Sequence, residues 1–331
     1  MSVWFKYTTI ILLILLLAGF VFLYKGDLPV EYVDTRYSNA HSQFLTTENG
    51  TRVHYRDEGN KSPGNSNPVI ILVHGSNASL HTWEPWVEIL GDDYRLITMD
   101  LPAHGLTGAT PENRYDTAAY IKTVDGVARH LGIEQFVLGG NSMGGGVTWR
   151  YTLEYPEKVL AMLLIDSSGL PQFARERVVL DNSGKEREAP IFFTLMSKPW
   201  FRAIARFIDP YYLTEQGVRS AYNNSPVVTD ALINRYYELA IREGSRDATL
   251  ARFSGFRGGQ TEPVDTSRLG QPTLVMWGAE DALISVDVAH QFAAALPNSE
   301  LVIYEAVGHI PMEEIPEQSA ADVRAFLQRL N

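Results

Sequence analysis

The run Gly140-Asn141-Ser142-Met143-Gly144 sets a serine between glycines, directly after the apolar stretch Phe136-Val137-Leu138 and before a stretch of helical character. A serine hydroxyl is a weak nucleophile by itself. It becomes effective when a sharp strand-to-helix turn holds it out, with a base on one side and oxyanion donors on the other. Glycines two before and two after the serine let the backbone bend that sharply without a Cβ clash. Downstream, the apolar run 273–277 ends in Gly278-Ala279-Glu280-Asp281, and the run 300–304 leads to Val307-Gly308-His309. Ser142, Asp281 and His309 therefore form a candidate nucleophile, orienting acid and general base. His309 would take the serine proton and return it to the leaving group, while Asp281 fixes the imidazole tautomer and stabilises its charged form. Upstream, the run 69–73 ends in His74-Gly75-Ser76-Asn77. Such a loop offers a backbone N–H to an oxyanion. Ser76 is the expected donor, with Asn77 in reserve, and Met143, the residue after the nucleophile, supplies the second.

Other polar residues compete for these roles. Asp166 follows the sixth strand-like run and is the second candidate for the acid. Glu280 neighbours Asp281, but one residue along its side chain turns elsewhere. His74 is expected to brace the oxyanion loop with its ring, and His104 to pack near the site. His41, His54, His81, His130 and His290 have no motif context, and Arg150 reads as a helix surface residue. There is no HExxH pair and no cysteine, and no lysine follows the glycines at 139–146. Zinc hydrolysis, thiolate chemistry and a phosphate-cradling loop are therefore not expected, and neither a cofactor nor a metal is called for.

These residues need a frame that brings strand ends together. Continuous apolar runs at 69–73, 95–99, 135–138, 160–165, 273–277 and 300–304 are typical of strands covered on both faces. Helical patterns separate most of them, at 83–90, 117–131, 142–155 and 286–296, with a last helix opened by Pro316. Two further strand-like pieces lie within 44–58. Alternation of this kind predicts an α/β fold, a doubly wound and mostly parallel sheet. The alternation stops between about 167 and 268, a stretch with helical pieces and aromatics, read as a mainly helical cap inserted after strand 6. Within it, 192–208 (FFTLMSKPWFRAIARFI) reads as a cap helix packing on the core, or as a lid lining an acyl pocket or touching a bilayer. The expected organisation is 1–25 anchor, 26–43 linker, 44–166 first core part, 167–268 cap and 269–331 second core part.

Of 331 residues, 45% are hydrophobic, which suffices for a large core. The net charge of −11, with no long basic run, argues against nucleic acid as a partner. Thr8 to Tyr24 carries no charge over seventeen residues, just long enough with Val3, Trp4 and Phe5 to span a bilayer. A cleaved signal peptide is the other reading, but Phe20, Val21 and Phe22 after Ala18-Gly19 make a poor cleavage site. The expectation is an uncleaved single-pass anchor, with the catalytic domain on the outer side of the membrane.

With His74-Gly75, Asp100-Leu101-Pro102-Ala103-His104-Gly105, Gly140-Asn141-Ser142-Met143-Gly144-Gly145, Trp277-Gly278-Ala279-Glu280-Asp281 and Gly308-His309-Ile310-Pro311 in this order, residues 44–331 resemble the α/β-hydrolase family. Ala103 departs from the glycine usual in the second motif, which affects a turn and not the chemistry. The chain looks most similar to membrane-associated lipases and esterases of the monoacylglycerol lipase type. The resemblance implies a serine hydrolase cleaving carboxylic esters, lipid-derived ones foremost, through an acyl-enzyme. It extends to meta-cleavage product hydrolases, which break C–C bonds with the same machinery. An anchored binding protein on an inactive hydrolase fold is the third reading. Haloalkane dehalogenases and epoxide hydrolases carry an aspartate where Ser142 stands.

Overall fold

The apolar runs become one sheet of eight strands. They are β1 (Ser42–Thr46), β2 (Arg52–Gly59), β3 (Ile70–Val73), β4 (Arg95–Met99), β5 (Phe136–Asn141), β6 (Val159–Ile165), β7 (Thr273–Gly278) and β8 (Ser299–Tyr304). Their spatial order is β1-β2-β4-β3-β5-β6-β7-β8. β2 pairs antiparallel with β1 and β4, and every later pairing is parallel. The computed structural model describes residues 7–11, 19, 23–172, 191–196, 198–223, 225–255 and 262–330.

Successive residues of the central strands feed two cores. Ile71, Val73 and Ile97 join one apolar cluster, while Ile70, Leu72 and Leu96 join the other. This is the period-2 alternation of a strand with both faces covered. The first cluster is closed by α3 (Thr117–His130) and α4 (Met143–Glu154), the second by α2 (Glu84–Leu90). All four side chains of β3 are fully buried, each stabilising the fold by about 1.5–3 kcal/mol. Asp116 caps α3 by accepting from the Ala119 N–H at 2.9 Å.

Between β6 and β7 the described chain is helical: α5 (Ile191–Met196), α6 (Pro199–Ala205), α7 (Tyr211–Ala221), α8 (Asp230–Ala240) and α9 (Ser245–Gly255). The segment 192–208 is not one helix. Pro199 forces Lys198 into an extended conformation (φ −91°, ψ 121°), so α5 stops and α6 begins at the proline. After β7 come α10 (Asp287–Ala295), α11 (Pro311–Glu314) and α12 (Pro316–Gln328). α10 joins the first core and α12 the second.

The N-terminal expectation is corrected. Among the described residues no helix is long and apolar enough to cross a membrane. Within 8–24, residues 12–18 and 20–22 lie outside the described residues. The end of the apolar run is tied to the cap through its backbone: Lys25 N–H donates to the Phe207 carbonyl at 3.1 Å, and Asp209 N–H to that of Leu23 at 2.7 Å, while the Leu23 and Tyr24 side chains stay exposed. A single-pass anchor, and the placement on the outer side of a membrane that depended on it, are therefore not supported. The stretch 26–43 carries α1 (Val30–Tyr37) where a linker was expected. Val33 is fully buried against Leu106 and Leu239, and Asp34 pairs with Arg52 and Arg242. Those partners are distant in sequence, and α1 itself is mostly polar, so local pattern does not reveal it.

Candidate active site

The turn after β5 is built by close approach. Ser142 has φ 54°, ψ −116°, an unfavourable conformation for a residue with a Cβ, and it immediately precedes α4. Its N–H donates to the Ile165 carbonyl at 3.0 Å, and its own carbonyl accepts from Gly146 and Ser168. A Cβ on Gly144 would collide with the Val73 and His74 carbonyls, and one on Gly140 with the backbone of Gly144. Gly144→Ala is expected to destabilise the fold by about 1–3 kcal/mol. Urea unfolding measures this, and an unchanged midpoint would mean that the turn yields to the methyl group.

Three strand ends then converge. Asp281, after β7, has Oδ2 2.6 Å from His309 Nδ1, while its Oδ1 accepts from the N–H groups of Leu283 (2.7 Å) and Ile284 (3.0 Å). His309 Nε2 has no hydrogen-bond partner among the described residues, and Ser142 and His309 line the same cavity. No hydrogen bond joins the two side chains; in unliganded sites such contacts are often loose. Met143 opens α4, so its N–H belongs to the first turn, which has no partner within the helix. Ser76 and Asn77 line the cavity from the other side.

Asp166 lies close by but is engaged differently. Its Oδ1 accepts from the Gly278 N–H at 3.0 Å, and its carboxylate comes within 4.8 Å of the donor atoms of Asp281 and His309. These three are the group among the described residues whose spacing could suit a metal ion. Within this group Asp281 Oδ2 and His309 Nδ1 are already bonded to each other. Complete burial, then the charge of Asp281, hold the Asp166 carboxyl well above the usual carboxylate range. The folded chain thus holds the Asp166 proton to higher pH than the unfolded one, whose carboxyl titrates at about 3.9. The contribution of Asp166 to stability is fully present below that unfolded value and is lost as pH rises toward the folded one. Asp166→Asn, which mimics the neutral acid, should therefore gain stability over wild type progressively above about pH 4. Urea midpoints from pH 4 to 9 test this, and parallel profiles would refute it.

Several residues with positioning roles carry no motif. Glu314 accepts from the N–H groups of both Gly308 (3.0 Å) and Ile310 (3.1 Å), straddling His309. Burial raises its pKa, and those two N–H groups oppose the rise. The His309 N–H donates to the Ala221 carbonyl at the end of α7, at 2.7 Å. Asn141 Nδ2 donates to the carbonyls of Ile165 (3.2 Å) and His309 (3.0 Å), tying the turn to the histidine loop.

His74 braces the loop after β3 from its first residue. Its Nδ1 donates to the Gly75 carbonyl at 2.7 Å and its Nε2 accepts from the Leu101 N–H at 3.0 Å, with burial lowering its pKa. His104 is buried, bonded to the Pro102 carbonyl and neutral for the same reason. Ala103 has φ 68°, which explains why glycine is usual there. Arg150 lies over the Trp149 ring at 3.8 Å and bonds the Gly146 carbonyl.

A second serine–histidine–aspartate chain was not legible in sequence. Ser42 Oγ lies 2.9 Å from His54 Nε2, and His54 Nδ1 lies 2.7 Å from Asp100 Oδ2. Burial pushes the Asp100 carboxyl up, but the His54 hydrogen bond and the neighbouring imidazoles outweigh it and hold the pKa well below the usual range. Asp100 also accepts from Leu80 and Leu106, and Ser42 accepts from Asn39. This chain staples β1, β2 and the loop after β4 together, and none of Ser42, His54 and Asp100 lines the cavity.

The cavity over Ser142 has a volume of about 200 Å³ and a mostly apolar wall. Met196, Phe201, Ile208 and Leu213 line it from the cap, with Leu283 and Ile310 from the core. The segment 192–208 thus contributes to the pocket wall.

The fold and this site define a class. The chain belongs to the α/β-hydrolase family: the family model described as alpha/beta hydrolase fold matches residues 68–316. The hydrolase YugF of Bacillus subtilis (strain 168) is 26% identical over 286 residues, covering 85% of this chain and 96% of that protein. A 2-hydroxy-6-oxo-6-(2'-aminophenyl)hexa-2,4-dienoic acid hydrolase of Metapseudomonas resinovorans is 26% identical, covering 90% and 95%. The monoacylglycerol lipase abhd6-B of Xenopus laevis is 24% identical, covering 85% and 83%.

Proposed function

We propose that this chain hydrolyses carboxylic esters with an apolar acyl group, through an acyl-enzyme. Ser142 attacks the carbonyl and His309 takes its proton. Asp281 holds the imidazole with Nδ1 protonated, and the Ser76 and Met143 N–H groups receive the oxyanion. Collapse of the tetrahedral intermediate expels the alcohol, protonated by His309; water, activated by the same histidine, then releases the acid. The observation that carries this reading is the Asp281–His309 bond beside Ser142 in a cavity with an apolar wall. Acylglycerols or other lipid-derived esters are the leading substrates, because a mostly apolar wall offers contact to an alkyl chain.

The relative from Metapseudomonas resinovorans keeps C–C cleavage of a dienoic acid as the alternative. Its substrate carries a carboxylate, and Arg246, which lines the cavity, is engaged elsewhere, as are Arg235 and Arg252 on the neighbouring cap helices. Arg246 pairs with Asp27, Arg235 with Glu313, and Arg252 bonds Ser76 and Asn77. A p-nitrophenyl ester series from acetate to palmitate, run beside a dienoic ring-fission acid, separates the readings. Ester turnover with an optimum beyond acetate supports the proposal; turnover of the dienoic acid alone overturns it.

A further inference from the structure

Arg252 is a buried cap residue with 5% of its surface exposed. Its Nη1 donates to Ser76 Oγ at 2.8 Å and its Nη2 to Asn77 Oδ1 at 2.6 Å. Both acceptors belong to the loop expected to hold the oxyanion, and Asn77 is held there at φ 60°. Among the described residues no carboxylate pairs with Arg252, although neighbouring Arg242 and Arg246 are paired with Asp34 and Asp27. Burial lowers the Arg252 pKa. Two groups in its field, His74 and His104, have their pKa values lowered and are neutral. A buried guanidinium without a counter-ion is expensive to keep. Here it stands behind the loop that would face the one negative charge the reaction creates.

Arg252 also shares a helix with the pocket wall. Ser245, Thr249 and Leu250 of α9 line the cavity, and Ser245, Thr249 and Arg252 recur at helical spacing along one side. The helix that touches the substrate space therefore holds the oxyanion loop as well.

We infer that Arg252 is a positioning residue: from the cap it fixes the Ser76–Asn77 loop for oxyanion binding and adds its positive charge to the field there. This rests on the serine hydrolase reading. The effect belongs to the transition state, since the charge it opposes is absent from the ester itself. A backbone donor displaced by a fraction of an ångström weakens the oxyanion bond while leaving the apolar wall to bind substrate as before.

The test uses the full chain, with kcat and KM on the best p-nitrophenyl ester and the rate of Ser142 labelling by an alkyl fluorophosphonate. Arg252→Met should lower kcat about 10- to 100-fold with KM within about threefold, and labelling should slow in parallel. Arg252→Lys, which keeps the charge and one donor, should recover part of the loss. The Ser76→Ala/Asn77→Ala double variant removes both acceptors and leaves Arg252 in place. It should also lower kcat, and Arg252→Met added to it should cost less than Arg252→Met alone. This double variant decides the matter if Arg252→Met does not fold. An unchanged kcat in folded variants overturns the inference, as does a rise in KM alone or a lysine no better than methionine. If the wild-type chain neither turns over ester nor reacts with the fluorophosphonate, the serine hydrolase reading itself fails, an outcome distinct from active wild type with unaffected variants.

Discussion

Ser142→Ala should lower ester turnover by at least about 10³-fold while leaving the fold intact. The substitution deletes one oxygen from a residue whose contacts in the turn are made by its backbone: the N–H to Ile165 and the carbonyl to Gly146 and Ser168. Alanine keeps all three bonds and meets the same positive φ that serine already tolerates. What is lost is the covalent route. The remaining machinery, an oxyanion loop and an imidazole able to activate water, accounts for the residual rate. Initial rates on the p-nitrophenyl ester series measure the effect, with fluorophosphonate labelling as a second readout independent of substrate. A variant retaining a tenth of the activity, or still labelled, would place the nucleophile elsewhere and remove the basis of the proposed function.

The sheet was legible because buried parallel strands must be apolar on both faces. Arg95–Met99 and Thr273–Gly278 stand out as runs that no surface strand would tolerate. The placement of Ser142, Asp281 and His309 at strand ends followed from the same runs, since each residue comes directly after or soon after one of them. The distant contacts were not legible. Arg252 meets Ser76 across 176 positions, and nothing in the run around it distinguishes it from Arg242 or Arg246. Glu314 is recognisable only once the chain has curled its carboxylate back under Gly308 and Ile310. The Ser42–His54–Asp100 chain joins residues from two strands and a loop, and each looks ordinary in its own neighbourhood. The N-terminal apolar run misled for a different reason. Hydropathy reports how readily side chains leave water and says nothing of how the backbone at the end of the run is bonded. At Leu23 and Lys25 the backbone bonds to the chain's own cap segment, at Asp209 and Phe207. The cap was the least predictable region, because short helices interrupted by Pro199 and Pro210 lack the length that makes periodicity readable.

Asp281→Asn should cost about 10⁴-fold in kcat, although it changes neither shape nor volume. The direction follows from the hydrogen bonds around the carboxylate. Oδ1 accepts from the N–H groups of Leu283 and Ile284, so an asparagine must keep its carbonyl oxygen there. Its NH₂ group then faces His309 Nδ1, the position Oδ2 occupies at 2.6 Å. An NH₂ group donates, so Nδ1 must accept and the imidazole proton moves to Nε2. His309 then presents a proton to Ser142 where it should present a lone pair, and it cannot act as base. No rotation of the asparagine relieves this without leaving two backbone donors facing an NH₂ group. Asp166 does not substitute for Asp281, because its Oδ1 is engaged by the Gly278 N–H and burial holds its pKa well above the usual carboxylate range. Asp166→Asn should therefore leave kcat within a few fold, and the paired measurement decides between the two acids. A large loss at Asp166 with a small one at Asp281 would reverse their roles. Losses at Asp281 alone, with fluorophosphonate labelling slowed in proportion, fix it as the residue that sets the tautomer of His309.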